Sequence, residues 1–218
     1  MPKVSAGSLS VSIDGYGAGP FQDEDNPLGV GGKRLHEWIF ATKSGRRMIG
    51  QDGGVEGVDD GFFKSRSNDV GATIMGRNMF GPVRGPWEES LWRGWWGEDP
   101  PFHHPVFVLT HYERPDLAMG DTTFHFVTDG FESALLRARN AARDQKVHVS
   151  GGVATVRQFL EAQLIEELQL AVVPIRLGAG ERLIEAVGQW PQGYECRAVV
   201  SGEGATHYRL VRSGSSTP

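Results

Sequence analysis

One pairing recurs along this chain and limits what it can fold into. A short apolar run reaches a turn and then passes into a helical pattern. In "KVHVSGGVATVRQFL" (146–160) the run ends at Ser-Gly-Gly and the helical spacing begins at once. "VGATIMGR" (70–77) and "PVFVLTH" (105–111) are runs of the same kind. "TFHFVTDG" leads into "FESALLRARNAARDQ", which places Phe131, Ala134, Leu135 and Ala138 on one face. Runs this short, bounded by Gly, Pro and Asp, read as buried strands rather than helices. Their alternation with helices predicts an α/β domain with a mostly parallel central sheet and helices on both faces. "RAVVSGEGATHYRLVR" (197–212) reads as a hairpin around "SGEG", which makes the C-terminal edge antiparallel.

The remaining segments fit that frame. "KVSAGSLSVSI" (3–13) reads as a strand, and residues 14–32 form a loop rich in Gly, Asp and Pro. Loops of that length in compact domains are mostly functional. "KRLHEWIFAT" puts Leu35, Trp38 and Ile39 at helical spacing, and a second helix is expected around Val58, Phe62 and Phe63. A loop from Gly81 to His104 holds four of the six tryptophans. "IEELQLAVVPIRL" (165–177) reads as a further strand. One domain over residues 1–212, with a flexible tail at 213–218, is the expected organisation.

Composition excludes several functions. The net charge of −5 argues against a general binder of nucleic acid or anionic membranes. No apolar run approaches the ~20 residues that span a bilayer, and the N-terminus lacks the apolar core of a signal peptide. The single cysteine, Cys196, cannot close an internal disulfide. A cytoplasmic protein is expected. There is no G-x-S-x-G elbow for a serine hydrolase. His103 and His104 have no third ligand at metal spacing, so no metal site is expected.

Ligands of open α/β sheets bind beyond the carboxyl ends of strands. Three strand ends here suit an anion. Gly76 permits close backbone approach, Arg77 offers a planar cation, and Asn78 can open a helix with free amides. Thr110 and His111 supply a donor and a switchable charge. Gly151 and Gly152 bring the backbone close, and the amides of Val153, Ala154 and Thr155 can face a diphosphate. The competing reading of that last turn is a helix capped by Ser150. A dinucleotide is long enough to touch all three ends.

"SVSIDG" (10–15), "IMGRNMF" (74–80), "VLTH" (108–111), "VHVSGG" (147–152) and "VVPIRLGAGERL" (172–183) stand in this order. Together they resemble the dihydrofolate reductase-like superfamily. Within it they resemble the C-terminal reductase domain of the riboflavin-biosynthesis deaminase-reductases (RibD) and its stand-alone relatives. The resemblance runs from about Val4 to Leu210. It implies a three-layer dihydrofolate reductase-like fold and NADPH as cofactor. Gly76, Arg77 and Asn78 would then hold the phosphate-rich half of the cofactor. Thr110 and His111 would border the adenosine ribose and its 2′-phosphate, and Gly151 to Thr155 would hold the diphosphate. Ala18 and Gly19 would approach the nicotinamide, and Ser12 and Asp14 would lie near the substrate.

Dihydrofolate reductases carry an acid in the first helix. Aligned on Trp38, its position here is Leu35, which speaks against dihydrofolate as substrate. An α-helical phase turns His36 about 100° away from that position. The expected activity is hydride transfer from NADPH to a C=N or C=O bond of a small polar heterocycle (pterin-, flavin-precursor- or aminouracil-like). Asp14 is the candidate proton relay, with a plain turn aspartate as the alternative. The rival function is a protein of the same fold that binds NADP(H) or senses a ligand without turnover. The tryptophan loop is either a lid or a packing surface, and the resemblance implies a homodimer.

Overall fold

The computed structural model describes residues 1–81, 84–87 and 92–214. The chain opens with β1 (Val4–Ser12) and a short β2 (Tyr16–Ala18). A 3-10 turn (Gly32–His36) leads into α1 (Glu37–Ala41), α2 (Lys43–Met48) and α3 (Val58–Ser65). Then come β3 (Val70–Gly76), α4 (Arg77–Phe80), β4 (Pro105–Leu109), β5 (Leu117–Met119) and β6 (Thr122–Val127). The last part holds α5 (Phe131–Ala142), β7 (Lys146–Gly151), α6 (Val153–Glu161), β8 (Glu167–Val173), β9 (Glu181–Arg182), β10 (Tyr194–Ser201) and β11 (Thr206–Arg212). Residues 213–214 of the expected tail form a turn, and 215–218 lie outside the described residues.

Nine strands form one sheet in the order β10-β11-β8-β1-β7-β3-β4-β6-β5. The six strands from β8 to β6 run parallel. The C-terminal hairpin makes one edge antiparallel, as expected. The other edge is antiparallel as well, because the three-residue β5 pairs with β6. A strand that short carries no readable alternation. A separate two-stranded sheet joins β2 to β9 inside segments expected to be loop.

Both faces of the sheet are buried, which is why β3 reads as a nearly continuous apolar run. On one face Ile74, Val147 and Val149 pack against Ala134, Leu135 and Ala138 of α5 and Val156, Phe159 and Leu160 of α6. On the other, Leu35, Trp38, Ile39 and Phe63 cover Ala171 and Val173. Beside them Met75, Val106, Val108, Phe124 and Phe126 pack under Phe80, with Trp87, Trp92 and Trp96 against their edge. The described tryptophans therefore pack mostly on the chain's own sheet, and Trp95 is the exposed one. Residues 82–83 and 88–91 of that loop lie outside the described residues. No helix among the described residues is long and apolar enough to cross a membrane.

The C-terminal hairpin and α3 cap each other. The Glu203 carboxylate accepts from the Val58 and Asp59 amides at 3.1 and 3.0 Å, satisfying free donors of the first turn. Asp59 accepts in return from the Gly204 amide at 2.7 Å and lies 2.7 Å from His207 Nε2. His207 stacks on Phe62 and meets Trp38 edge-on. Asp59→Ala would leave two buried polar groups without partners. It is expected to cost about 2–3 kcal/mol, read as a lower urea midpoint at unchanged slope.

Candidate functional site

The carboxyl ends of β3, β4 and β7 open into one cleft of about 1120 Å³. Gly76, Arg77 and Asn78 line it from β3 and α4, Thr110 and His111 from the end of β4, and Gly151 to Thr155 from β7 and α6. The three strand ends singled out in the sequence thus share one wall.

The two glycines after β7 serve different needs. Gly151 has φ +137°, a conformation L side chains rarely adopt, and its peptide to Gly152 is cis. Gly152 has ordinary φ, but a side chain there would project into open space, with no atom within 4 Å. That space faces the first turn of α6, which has no side-chain cap. Ser150 lies within β7 and lines the cleft, so the capping alternative does not hold. The turn is wedged between two further glycines. A Cβ on Gly76 would come 2.4 Å from Thr155 Oγ1, and one on Gly17 would come 2.7 Å from Val153 Cγ2. A helix start with free amides beside an unfilled space is suited to an elongated anion.

Arg77 stacks on the Trp87 ring, 3.3 Å from its centroid, and its Nε and Nη1 are buried without hydrogen-bond partners among the described residues. Burial, and then the neighbouring Arg114 charge, push it down to about 10, which leaves it cationic at neutral pH. Thr110 is held in a local turn with Tyr112, accepting from its amide at 3.2 Å. His111 is exposed on the rim.

In the first loop Ala18 lines the cleft and Gly19 does not. Gly19 is buried where three backbone segments cross. A Cβ on it would lie 2.1 Å from the Val30 carbonyl oxygen, and Cβ atoms on Gly29 or Gly180 would strike Gly19 and Ala18 backbone atoms at 2.0–2.8 Å. In this structure Gly19 is packed among backbone atoms. Asp14 stands apart from the cleft as well. Its carboxylate accepts from the Leu177 and Gly178 amides at 3.2 and 2.9 Å and does not line the cleft. Burial alone would raise its pKa, but hydrogen bonds from Ser12 and these amides hold it at about 2. These bonds tie the turn after β1 to the loop before β9.

The second lobe of the cleft departs most from expectation. Ser12 is fully buried and accepts from the Tyr16 amide. Leu35 and Trp38 belong to the core, with the Trp38 indole donating to Ser10 Oγ at 2.9 Å. None of the three lines the cleft; His36, Ile39, Phe40 and Phe63 do. The reason is helical phase. Gly32–His36 is a 3-10 turn and α1 begins only at Glu37, so the 100° steps of an α-helix do not apply at Leu35 and His36. Arg66, unmarked by any sequence motif, and His148, inside "VHVSGG" but given no role there, also line this lobe. Arg66 lies over the Phe63 ring and donates to the Phe63 carbonyl at 3.0 Å, and burial lowers it to about 10. Arg182 is spent on the Asp14 and Glu185 carbonyls and the Tyr16 hydroxyl.

A nine-stranded sheet of this order between layers of helices, with a glycine-lined cleft at its strand ends, defines a dihydrofolate reductase-like α/β protein. The sequence profile of the RibD C-terminal domain matches residues 7–204, and the chain belongs to that family. No curated protein matches the sequence. Among solved structures, the chain is similar to a protein named for riboflavin biosynthesis from Shewanella sp. PV-4. The two share 22% identity over 98% of this chain and 99% of that one, with a TM-score of 0.54. It is similar to Enterococcus faecalis dihydrofolate reductase complexed with NADP(H) and RAB-propyl, at 15% identity over 97% and 96%, TM-score 0.52. It is similar to a Thermotoga maritima diaminohydroxyphosphoribosylaminopyrimidine deaminase/5-amino-6-(5-phosphoribosylamino)uracil reductase, at 15% identity and TM-score 0.53. That last match covers 97% of this chain and 56% of the Thermotoga chain. At these identities the likenesses establish the fold.

The buried His148 and the half-buried His104 set an acid limit on the fold. Burial pushes His148 from 6.5 to about 4, with Arg66, His104 and Lys146 adding to the fall. His104, 2.7 Å from Thr73 Oγ1, falls to about 4 through burial and the His103 charge. The unfolded chain binds these protons at 6.5 and the folded chain only near 4. Their contribution is therefore complete above pH 6.5 and lost as pH falls towards 4. Calorimetry should show the melting temperature declining already between pH 6.5 and about 5, above the carboxylate range. A His104→Gln, His148→Asn double variant should lose most of that slope.

Proposed function

We propose that the protein is an NADPH-dependent reductase that transfers hydride to a C=N or C=O bond of a small polar heterocycle of the pterin, flavin-precursor or aminouracil kind. The observation that carries this reading is the single cleft in which three anion-suited strand ends adjoin a second, mostly apolar lobe. The residues present fit such a cofactor. The free amides of Val153 to Thr155 and the unfilled space at Gly152 would take its diphosphate. Arg77, with two unpartnered guanidinium nitrogens, would take an added phosphate. Ala18 would border the ring that reacts. The cofactor supplies the hydride when bound; the chain orients both ligands and excludes water. Trp95 and Trp96 wall the cleft and serve that exclusion. Phosphoribosylaminouracil reduction, named for the Thermotoga protein, is the reference chemistry. The reading includes a homodimer, which light scattering would check.

Tryptophan fluorescence provides the test. NADPH should quench the cleft tryptophans with micromolar affinity. Arg77→Ala should weaken NADPH about tenfold or more, the loss of a charge-assisted contact, while changing NADH by less than about twofold. Failure of both cofactors to bind up to millimolar concentration would sink the reading. Equal losses would move the phosphate contact away from Arg77. Cofactor binding without turnover on pterins, flavins and aminouracils would favour a carrier or sensor of the same fold.

A further inference from the structure

We propose that His36 is a specificity-determining residue of the second lobe, presenting Nε2 as an uncharged hydrogen-bond acceptor to a ring N–H or amino group of the bound heterocycle. The assignment deepens the reductase reading and takes its reaction from it, but it stands on geometry of its own.

The polar side chains lining this lobe are few, and each of the others makes at least one hydrogen bond, although Gln22 Oε1 is shut away without one. Ser10 Oγ accepts from the Trp38 indole. Gln22 donates its amide to the Pro27 carbonyl at 3.4 Å. Arg66 is committed to the Phe63 carbonyl and the Met48 sulfur. His148 Nδ1 lies 3.4 Å from Ser5 Oγ. Among these described residues, His36 alone makes no side-chain hydrogen bond. Its Nδ1 is shut away from solvent without a partner, whereas Nε2 is neither shut away nor bonded, and the half-buried ring lines the cleft. Ile39, Phe40, Met48 and Phe63 make up the apolar remainder of the wall. Polar atoms in such surroundings are costly to leave unpaired, so a ligand that completes Nε2 is favoured over one that covers it.

The ring's chemistry says which partner it takes. Burial lowers its pKa below 6.5, with the Gly32 carbonyl offsetting part of the fall, so the imidazole is neutral at physiological pH. Nδ1 is the enclosed ring nitrogen and Nε2 the open one, so with the proton on Nδ1 the atom facing the ligand is a bare acceptor. A neutral acceptor rewards an N–H donor and offers no countercharge to a cationic ring. The carboxylates lining the cleft, Glu161 and Glu181, are each 3.9 Å from an arginine, Arg157 and Arg84.

The test uses lumazine and 1,3-dimethyllumazine, which differ in their ring N–H donors, with and without saturating NADP⁺. Fluorescence anisotropy should show lumazine binding about five- to tenfold more tightly, the worth of one net hydrogen bond. In His36→Leu the ratio should fall to about one, and His36→Gln, which keeps an acceptor, should restore part of it. In the wild-type protein, the ¹⁵N signal of His36 Nε2 should move with lumazine and stay in place with the dimethyl compound. A ratio that persists in His36→Leu would mark steric exclusion of the methyl groups and overturn the proposal. So would failure of lumazine to bind NADP⁺-loaded protein, or an unmoved Nε2 signal. Neither result touches the reductase reading, which falls only if the nicotinamide cofactors fail to bind.

Discussion

The first turn of α6 sits in a slot that exists because two residues lack a Cβ. Gly76 ends β3 against Thr155, and Gly17 in β2 passes Val153, each leaving less than 3 Å for any added carbon. A side chain at either place would collide with Thr155 Oγ1 or Val153 Cγ2 and force the first side chains of α6 to give way. The close seating of the helix start on the strand ends is therefore a matter of packing between helix and strand, before any ligand is considered.

A second glycine junction fixes the wall opposite. Gly19, Gly29 and Gly180 let the long first loop cross the segment before β9 at backbone contact. Around that crossing, Asp14 accepts from Leu177 and Gly178, and Arg182 stacks on the Tyr16 ring while donating to its hydroxyl. These bonds hold β2 and β9 together as a small sheet beside the cleft. A loop expected to be functional from its length is thus tied at both ends. The glycines there serve close approach as much as flexibility, since several have nowhere to put a side chain.

Much of the architecture was legible because strands buried on both faces spell nearly continuous apolar runs, as β4 does and β3 does but for Thr73. The elements that went unread are those without a period. β5 has three residues and β9 two. In α2, "KSGRRM" has no apolar stripe and depends on the Thr42 cap, which accepts from the Gly45 amide. The anion half of the site was readable for a related reason, since strand ends and glycines are marked in the sequence itself. The other half was not. Whether Leu35 or His36 faces the cleft depends on where a 3-10 turn gives way to α-helix, and composition does not encode that phase. Arg66 reaches the cleft from a helix end that carries no motif, and His148 from a strand interior, inside "VHVSGG" but not at the strand end that the motif marks.

The chain's acidic balance hides a cleft of opposite character. The net charge is −5, yet Arg66, Arg77, Arg84 and Arg157 line the cleft against two carboxylates. Both carboxylates lie beside Arg84 or Arg157, which leaves Arg66 and Arg77 with no acidic partner among the described residues. Each is partly desolvated and lowered to about 10. A cation taken from water without a counter-ion is a cost borne by the empty protein. Any anion that binds the folded state at these two points offsets it, and by linkage stabilises the fold while it is bound. The same apolar walls that lower the arginine pKa values also strengthen their attraction for a ligand, since both effects follow from the exclusion of water.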